Sequence, residues 1–134
     1  MTRIAYYDAD LQDFLAVDED AVLGALVMQH GFALEHQQKH AWQGQIQLLR
    51  RHLPPTITGR IYFEFSIPRM GKRVDVVIVT GGVIFVIEFK VGAQSFDRHA
   101  FEQVYDYALD LKNFHRGSHC LPIVPILIPT AAPS

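Results

Sequence analysis

Apolar and polar residues alternate most regularly in the middle of the chain. Ile61, Phe63, Phe65 and Ile67 interleave with Tyr62, Glu64 and Ser66, a period of two that predicts a half-buried strand closed by Pro68. On that alternation Glu64 is expected at an exposed position, with support of a neighbouring site as the alternative. The stretch 71–92, GKRVDVVIVTGGVIFVIEFKVG, follows. Two runs of Val, Ile and Phe flank Gly81-Gly82, which predicts a hairpin with a two-residue primed turn. Counting outward places Thr80 opposite Val83, Val79 opposite Ile84 and Val77 opposite Val86. The same count sets Asp75 against Glu88 and Arg73 against Lys90. Away from its open end the hairpin is apolar on both faces, the pattern of central strands covered on both sides.

The region before the strands reads as helical. Residues 4–7 suit a short strand or an extended lead. Asp8 is a candidate cap for a helix over about 9–16 and Asp18 for one over about 19–30. In the second, Val22, Leu23, Leu26 and Val27 form the stripe and Gly31 is the stop. A third helix is expected over about 35–53, with Ala41, Trp42, Ile46 and Leu49 as a narrow stripe and Pro54-Pro55 as its end. Trp42 is read as the anchor of that helix on the sheet. After the hairpin, Phe101, Val104, Tyr105, Ala108 and Leu111 predict a helix over about 98–115, and residues 122–128 a last short strand. The last helix returns the chain so that the final strand lies parallel to the Glu88 strand, a right-handed crossover by default. The fold class is α/β, with a central mixed sheet flanked by helices.

The 134 residues fit one domain, with 1–18 as a lead carrying a short helix and 129–134 as a linker-like tail. An apolar share of 49% supports a packed core. Net charge is −2, so bulk charge does not signal nucleic acid. Its distribution says more. Six of the fourteen acids fall in the first twenty residues, whereas Arg50, Arg51, Arg60, Arg69, Lys72, Arg73 and Lys90 run from the middle to the end of the hairpin. Either the surface is polarised, with its basic part beside Asp75 and Glu88, or these are solvated charges. A single cysteine, Cys120, precludes an internal disulfide. With no apolar signal core and no apolar run long enough to span a bilayer, the expectation is a cytoplasmic protein away from membranes. Among the seven histidines, His36 and His40 have zinc-compatible spacing, but one cysteine and no H-E-x-x-H pattern argue against zinc.

Directly paired strand residues have Cβ atoms about 5 Å apart. Two carboxylates at that distance repel by about 3 kcal/mol at an effective dielectric near 20. A bound cation, a shared proton or a nearby base relieves this, and Lys90 shares a face with Glu88. Asp75 and Glu88 would suit a divalent metal in an all-oxygen site. An inert charge cluster of Asp75, Lys90, Arg73 and Glu88 explains the same hairpin.

The order α-β-β-β-α-β, Asp75 early on the second strand, Glu88-Phe89-Lys90 as an E-x-K and Gln103-Val104-Tyr105-Asp106-Tyr107 as a Q-x-x-x-Y resemble the PD-(D/E)xK nuclease superfamily, in its RecB-type branch. The stretches DFLAVDEDAVLGALV, GRIYFEFSIPRMGKRVD and DYALDLKNFHRGSH resemble the N-terminal region of bacterial proteins that carry a helicase-like ATPase after it. The resemblance implies a restriction-endonuclease-like αβββαβ core and part of a longer protein. It also implies a DNA-hydrolysing domain using Mg²⁺ or Mn²⁺, working with that ATPase domain. Asp75, Glu88 and the Phe89 carbonyl would bind the metal, and Lys90, Gln103 and Tyr107 would complete the catalytic set. Arg69, Lys72 and Arg73 would contact DNA. Many members place an acid on the first core helix. Here that region offers Glu35 at the helix start, Glu19 on the preceding helix, and Gln45 and Gln47 in the middle. The departure leaves a nuclease-fold module that binds DNA or a protein without cutting as the alternative.

Overall fold

The computed structural model describes residues 4–31, 36–67, 72–90 and 122–129. Its elements are β1 (Tyr7–Asp10), α1 (Leu11–Ala16), α2 (Glu19–His30), α3 (His36–His52), β2 (Arg60–Ile67), β3 (Lys72–Thr80), β4 (Val83–Lys90) and β5 (Ile123–Pro129). The five strands form one sheet in the order β1-β2-β3-β4-β5. β1 to β4 pair antiparallel and β5 pairs parallel to β4. The mixed α/β sheet and the parallel last strand agree with the sequence. The helix expected over 98–115, and with it the hand of the crossover, lies outside the described residues.

The hairpin forms in the expected register, from Thr80 opposite Val83 to Val76 opposite Ile87. Gly81 and Gly82 both take positive φ, 58° and 74°, which a two-residue primed turn requires. Asp18 caps α2, accepting from the Asp20 amide at 3.2 Å, and Gly31 at φ 88° ends it.

The start of the chain differs from expectation. Residues 7–10 are not a helix start but an edge strand, paired with residues 60–63 of β2. Asp8 is therefore held in β1, where its carboxylate meets Arg60 at 3.0 Å. Asp10 caps α1 in its place, accepting from the Gln12 amide at 2.9 Å. The Arg50 guanidinium of α3 donates to the carbonyls of Phe14, Leu15 and Val17 at the end of α1. A cation there satisfies carbonyls that the short helix leaves unpaired.

The three described helices contribute to one core, in which Leu11, Phe14, Val22, Leu26, Trp42 and Ile46 meet Ile61, Phe63, Val76, Ile78, Ile87 and Phe89. A second cluster comprises Phe65, Val74, Val77, Ile84, Val86 and Leu127. The assignment of strand residues to these clusters reveals a break in the alternation. Along β2, Phe63 joins the first cluster and Phe65 the second; along β3, Val76 joins the first and Val74 the second. Residues two apart on a regular strand share a face, so both strands exchange faces at Glu64 and Asp75. The pairing register is the same on either side, Phe63 with Val76 and Phe65 with Val74. Among the described residues Glu64 is the non-glycine with positive φ, 54°. That local left-handed conformation turns the rest of β2 over. Among the described residues no helix is long and apolar enough to cross a membrane.

Two glycines give opposite expectations. At Gly59, with φ 132°, a Cβ would fall 2.0 Å from the Val79 carbonyl oxygen, where β2 begins beside the end of β3. Gly59→Ala should lower the unfolding free energy by about 2 kcal/mol or more in urea titration. Gly24 lies in α2 with nothing within 4 Å of its Cβ position. Gly24→Ala should raise stability by about 0.5–1 kcal/mol in the same experiment.

Candidate metal centre

The face exchange brings acids from three adjacent strands into one transverse row. Glu64 and Asp75 occupy the rung between the Phe63–Val76 and Phe65–Val74 pairs. Beyond the Val76–Ile87 pair, Asp75 and Glu88 interlock across the β3–β4 ladder. The Asp75 amide donates to Glu88 Oε1 at 2.9 Å, and the Phe89 amide donates to Asp75 Oδ2 at 2.9 Å. Each carboxylate thus uses one oxygen on the opposite strand's backbone. The other oxygens, Asp75 Oδ1 and Glu88 Oε2, have no hydrogen-bond partner among the described residues. Lys90 ends β4 two residues beyond Glu88, on the rung with Pro129.

Glu64 is half-buried rather than exposed, a correction to the expectation from alternation. Trp42 Nε1 donates to its Oε1 at 3.0 Å, and Arg73 donates to its backbone carbonyl at 2.7 Å. The Arg73 guanidinium also lies over the Tyr6 ring, 4.4 Å from its centroid. Tyr6, His30 and Trp42 form an edge-to-face trio with centroids 5.8–6.3 Å apart. A left-handed glutamate costs on the order of 1–3 kcal/mol and persists only where its surroundings over-determine it. Here Arg73 and Trp42 hold its two ends.

The electrostatics follow from burial. Desolvation pushes the Asp75 carboxyl up to about 6, with the Phe89 amide opposing, Glu64 adding to the rise and Lys90 opposing it. Desolvation likewise pushes Glu88 up to about 8; the Asp75 charge adds most to that, Glu64 adds more, and the Asp75 amide and Lys90 oppose. Glu64 is raised by burial, against the Trp42 hydrogen bond and the charges of Arg73 and His30. Asp75 and Glu88 are thus both within electrostatic reach of Glu64 and Lys90.

The remaining candidates divide. Gln103, Tyr107, Glu35 and Arg69 lie outside the described residues, as does the side chain of Lys72. Glu19 is not brought to the row: its carboxylate accepts from Gln47 Nε2 at 2.8 Å. Glu19 opens α2, whereas Trp42, the contact of Glu64, packs on His30 at the other end of that helix. Eleven residues of helix separate those ends by about 16 Å. Arg73 faces the Glu64 carbonyl and the Tyr6 ring, so part of its donor set is engaged inside the protein. Among the described residues no three His, Cys, Asp or Glu side chains converge as a direct ligand set.

A divalent cation nevertheless suits what is present. Mg²⁺ characteristically takes one or two carboxylates and keeps several waters. Asp75 and Glu88 offer two half-buried carboxylates with one oxygen each that the opposite strand's amides leave free, in a neighbourhood of excess negative charge. No family model, curated protein or solved structure matches the chain.

Raised carboxyl pKa values in the folded state mean that folding takes up protons. The contribution of these two carboxyls to the stability of the metal-free fold is therefore fully present below about pH 4, the unfolded range, and is lost as pH rises through about 6 and about 8. Urea unfolding of the chelator-treated chain should show a lower midpoint at about pH 8.5 than at about pH 5. Glu88→Gln, which keeps an acceptor for the Asp75 amide, should flatten that slope.

Proposed function

We propose that the chain is a metal-dependent nuclease domain of restriction-endonuclease-like architecture that hydrolyses DNA phosphodiester bonds, working with a helicase-like ATPase domain. The observation that carries this reading is the interlocked Asp75–Glu88 pair with Lys90 in electrostatic range. Like charges are held together there at the expense of stability, which is the usual mark of a functional carboxylate pair.

Asp75 Oδ1, Glu88 Oε2 and the Phe89 carbonyl would hold Mg²⁺ or Mn²⁺. Such a cation supplies a water of lowered pKa and charge neutralisation at the phosphate. The cross-strand amide bonds fix both carboxylates, so their remaining oxygens need no reorganisation when the site fills. Lys90 places a positive charge beside them, to orient the attacking water or to steady charge on the phosphate oxygens. Gln103 and Tyr107, one helical turn apart in sequence, are assigned to fixing Lys90 or a DNA phosphate.

A second reading is a nuclease-fold module that binds without cutting. It is favoured by the absence of a three-side-chain ligand set among the described residues and by the inward engagement of Arg73. Incubation with plasmid and single-stranded DNA separates the two. Cutting in Mn²⁺ that EDTA abolishes, and that falls by about 100-fold or more in Glu88→Ala and Lys90→Ala, is the expected result. DNA retention with no cleavage under any metal would establish the module instead.

A further inference from the structure

Independently of the metal site, we propose that the outer face of α2 is a self-association surface, on which a second copy of this chain docks with its own α2 running antiparallel. α2 is apolar on two sides. Val22, Leu23 and Leu26 are buried in the core, whereas Ala21, Gly24 and Met28 are exposed on the other side, with Ala25 half-buried between them. Met28 is 82% exposed. These four positions follow the i, i+3, i+4, i+7 spacing of a helix-packing seam. They line a shallow groove rimmed by Asp20 and Lys39. A helix apolar on all sides is ordinarily a covered helix. Glycine weakens a helix interior, and no atom lies within 4 Å of the Gly24 Cβ position, so nothing among the described residues requires a glycine there. Bare backbone on an exposed helix face lets a second backbone approach closely.

Symmetry identifies the occupant. A two-fold interface must be complementary to itself. Reversing α2 about the midpoint of Gly24 and Ala25 sets position 21 against 28 of the second copy, and 24 against 25. Met28, the one large side chain of the seam, then falls twice over the small Ala21, and Gly24 meets Ala25. Methionine is flexible enough to fill such a gap. The charges obey the same reversal. α3 runs antiparallel to α2, because Gln47 bonds Glu19 at the start of α2 and Trp42 packs on His30 at its end. Lys39 precedes Trp42 by three residues and so stands at the His30 end of the groove. Asp20 stands at the opposite end, eight residues and about 12 Å of helix from Met28. The second copy therefore brings its Lys39 to Asp20 and its Asp20 to Lys39, two ion pairs flanking an apolar centre. Among the described residues neither charge has an ion-pair partner within the chain. An unrelated helix has no cause to match both the large-to-small and the plus-to-minus order in reverse. The seam spans two helical turns, which places the association in the weak, transient class. α2 belongs to the helix layer, opposite the sheet face that Glu88 shares with Val86, so docking leaves that face uncovered.

Sedimentation velocity of the chain in EDTA tests this without any nuclease assay. The expected result is a reversible monomer–dimer equilibrium with Kd on the order of 10–100 µM. Asp20→Lys and Lys39→Asp each set like charges against one another twice, and each should weaken the dimer by about 10-fold or more. An equimolar mixture of these two variants should form a heterodimer about as tight as the wild-type dimer, because every pair is then again of opposite sign. Such recovery cannot be produced by misfolding. Gly24→Leu should abolish the dimer, while at a dilution where the wild type is monomeric it melts no lower than the wild type, since the monomer has room for the side chain. A wild type that stays monomeric up to about 500 µM overturns the proposal and leaves the groove to a helix of another protein. A dimer that persists unchanged in the charge variants or in Gly24→Leu overturns it as well, as do two charge variants that stay monomeric when mixed.

Discussion

The structure turns on a conflict between like charges in a low-dielectric place. Three adjacent strands bring Glu64, Asp75 and Glu88 to one row, where the Glu64 charge raises the cost of ionising Asp75 and both raise that of Glu88. Hydrogen bonds settle the conflict in part. The backbone amides of Asp75 and Phe89 each hold one carboxylate oxygen, and Lys90 tempers the sum. The pair is fixed in place without being neutralised. Protons relieve the remaining charge below about pH 8, and a divalent cation would take their place at neutral pH, which links the stability of the fold to the chemistry proposed for it.

Much of the surrounding architecture serves to fix that row. The primed turn at Gly81-Gly82 sets the register that places Glu88 against Asp75. Gly59 permits β2 to start close against the Val79 carbonyl, in the register that sets Glu64 beside Asp75. Trp42, 1% exposed, combines two roles: its ring is core, and its indole nitrogen orients Glu64. Arg73 bonds the strained backbone of Glu64 and stacks on Tyr6, tying the row to the aromatic trio at the end of α2. The strained Glu64 and the buried Gln45, whose Oε1 has no partner among the described residues, are both unfavourable for stability alone.

Local chemistry made parts of this legible in the sequence. A Gly-Gly pair admits few turn types, so the hairpin register and the meeting of Asp75 with Glu88 followed from counting. Asp18 and Gly31 marked the bounds of α2 because caps are local signals. The parallel last strand followed from topology. The position of Glu64 did not, because period-two alternation presumes an unbroken strand, and its left-handed turn is imposed by Arg73 and Trp42 from elsewhere in the chain. The edge strand at residues 7–10 was hidden for a similar reason. Asp8 and Asp10 both resemble helix caps, and only pairing with β2 decides between them. The burial of Gln45 was equally a tertiary fact, although its place on the apolar side of α3 beside Trp42 and Ile46 was a signal that could have been read. Gln103 and Tyr107 lie outside the described residues, so the sequence remains the basis for their role.

Crystals of the chain soaked in Mn²⁺ at neutral pH and measured at the manganese absorption edge test the central claim most directly. The account predicts one anomalous peak beside Asp75 and Glu88, in contact with the carboxylate oxygens that the opposite strand's amides leave free. No peak at that row, with the two carboxyls bonded to each other through a shared proton, would contradict it.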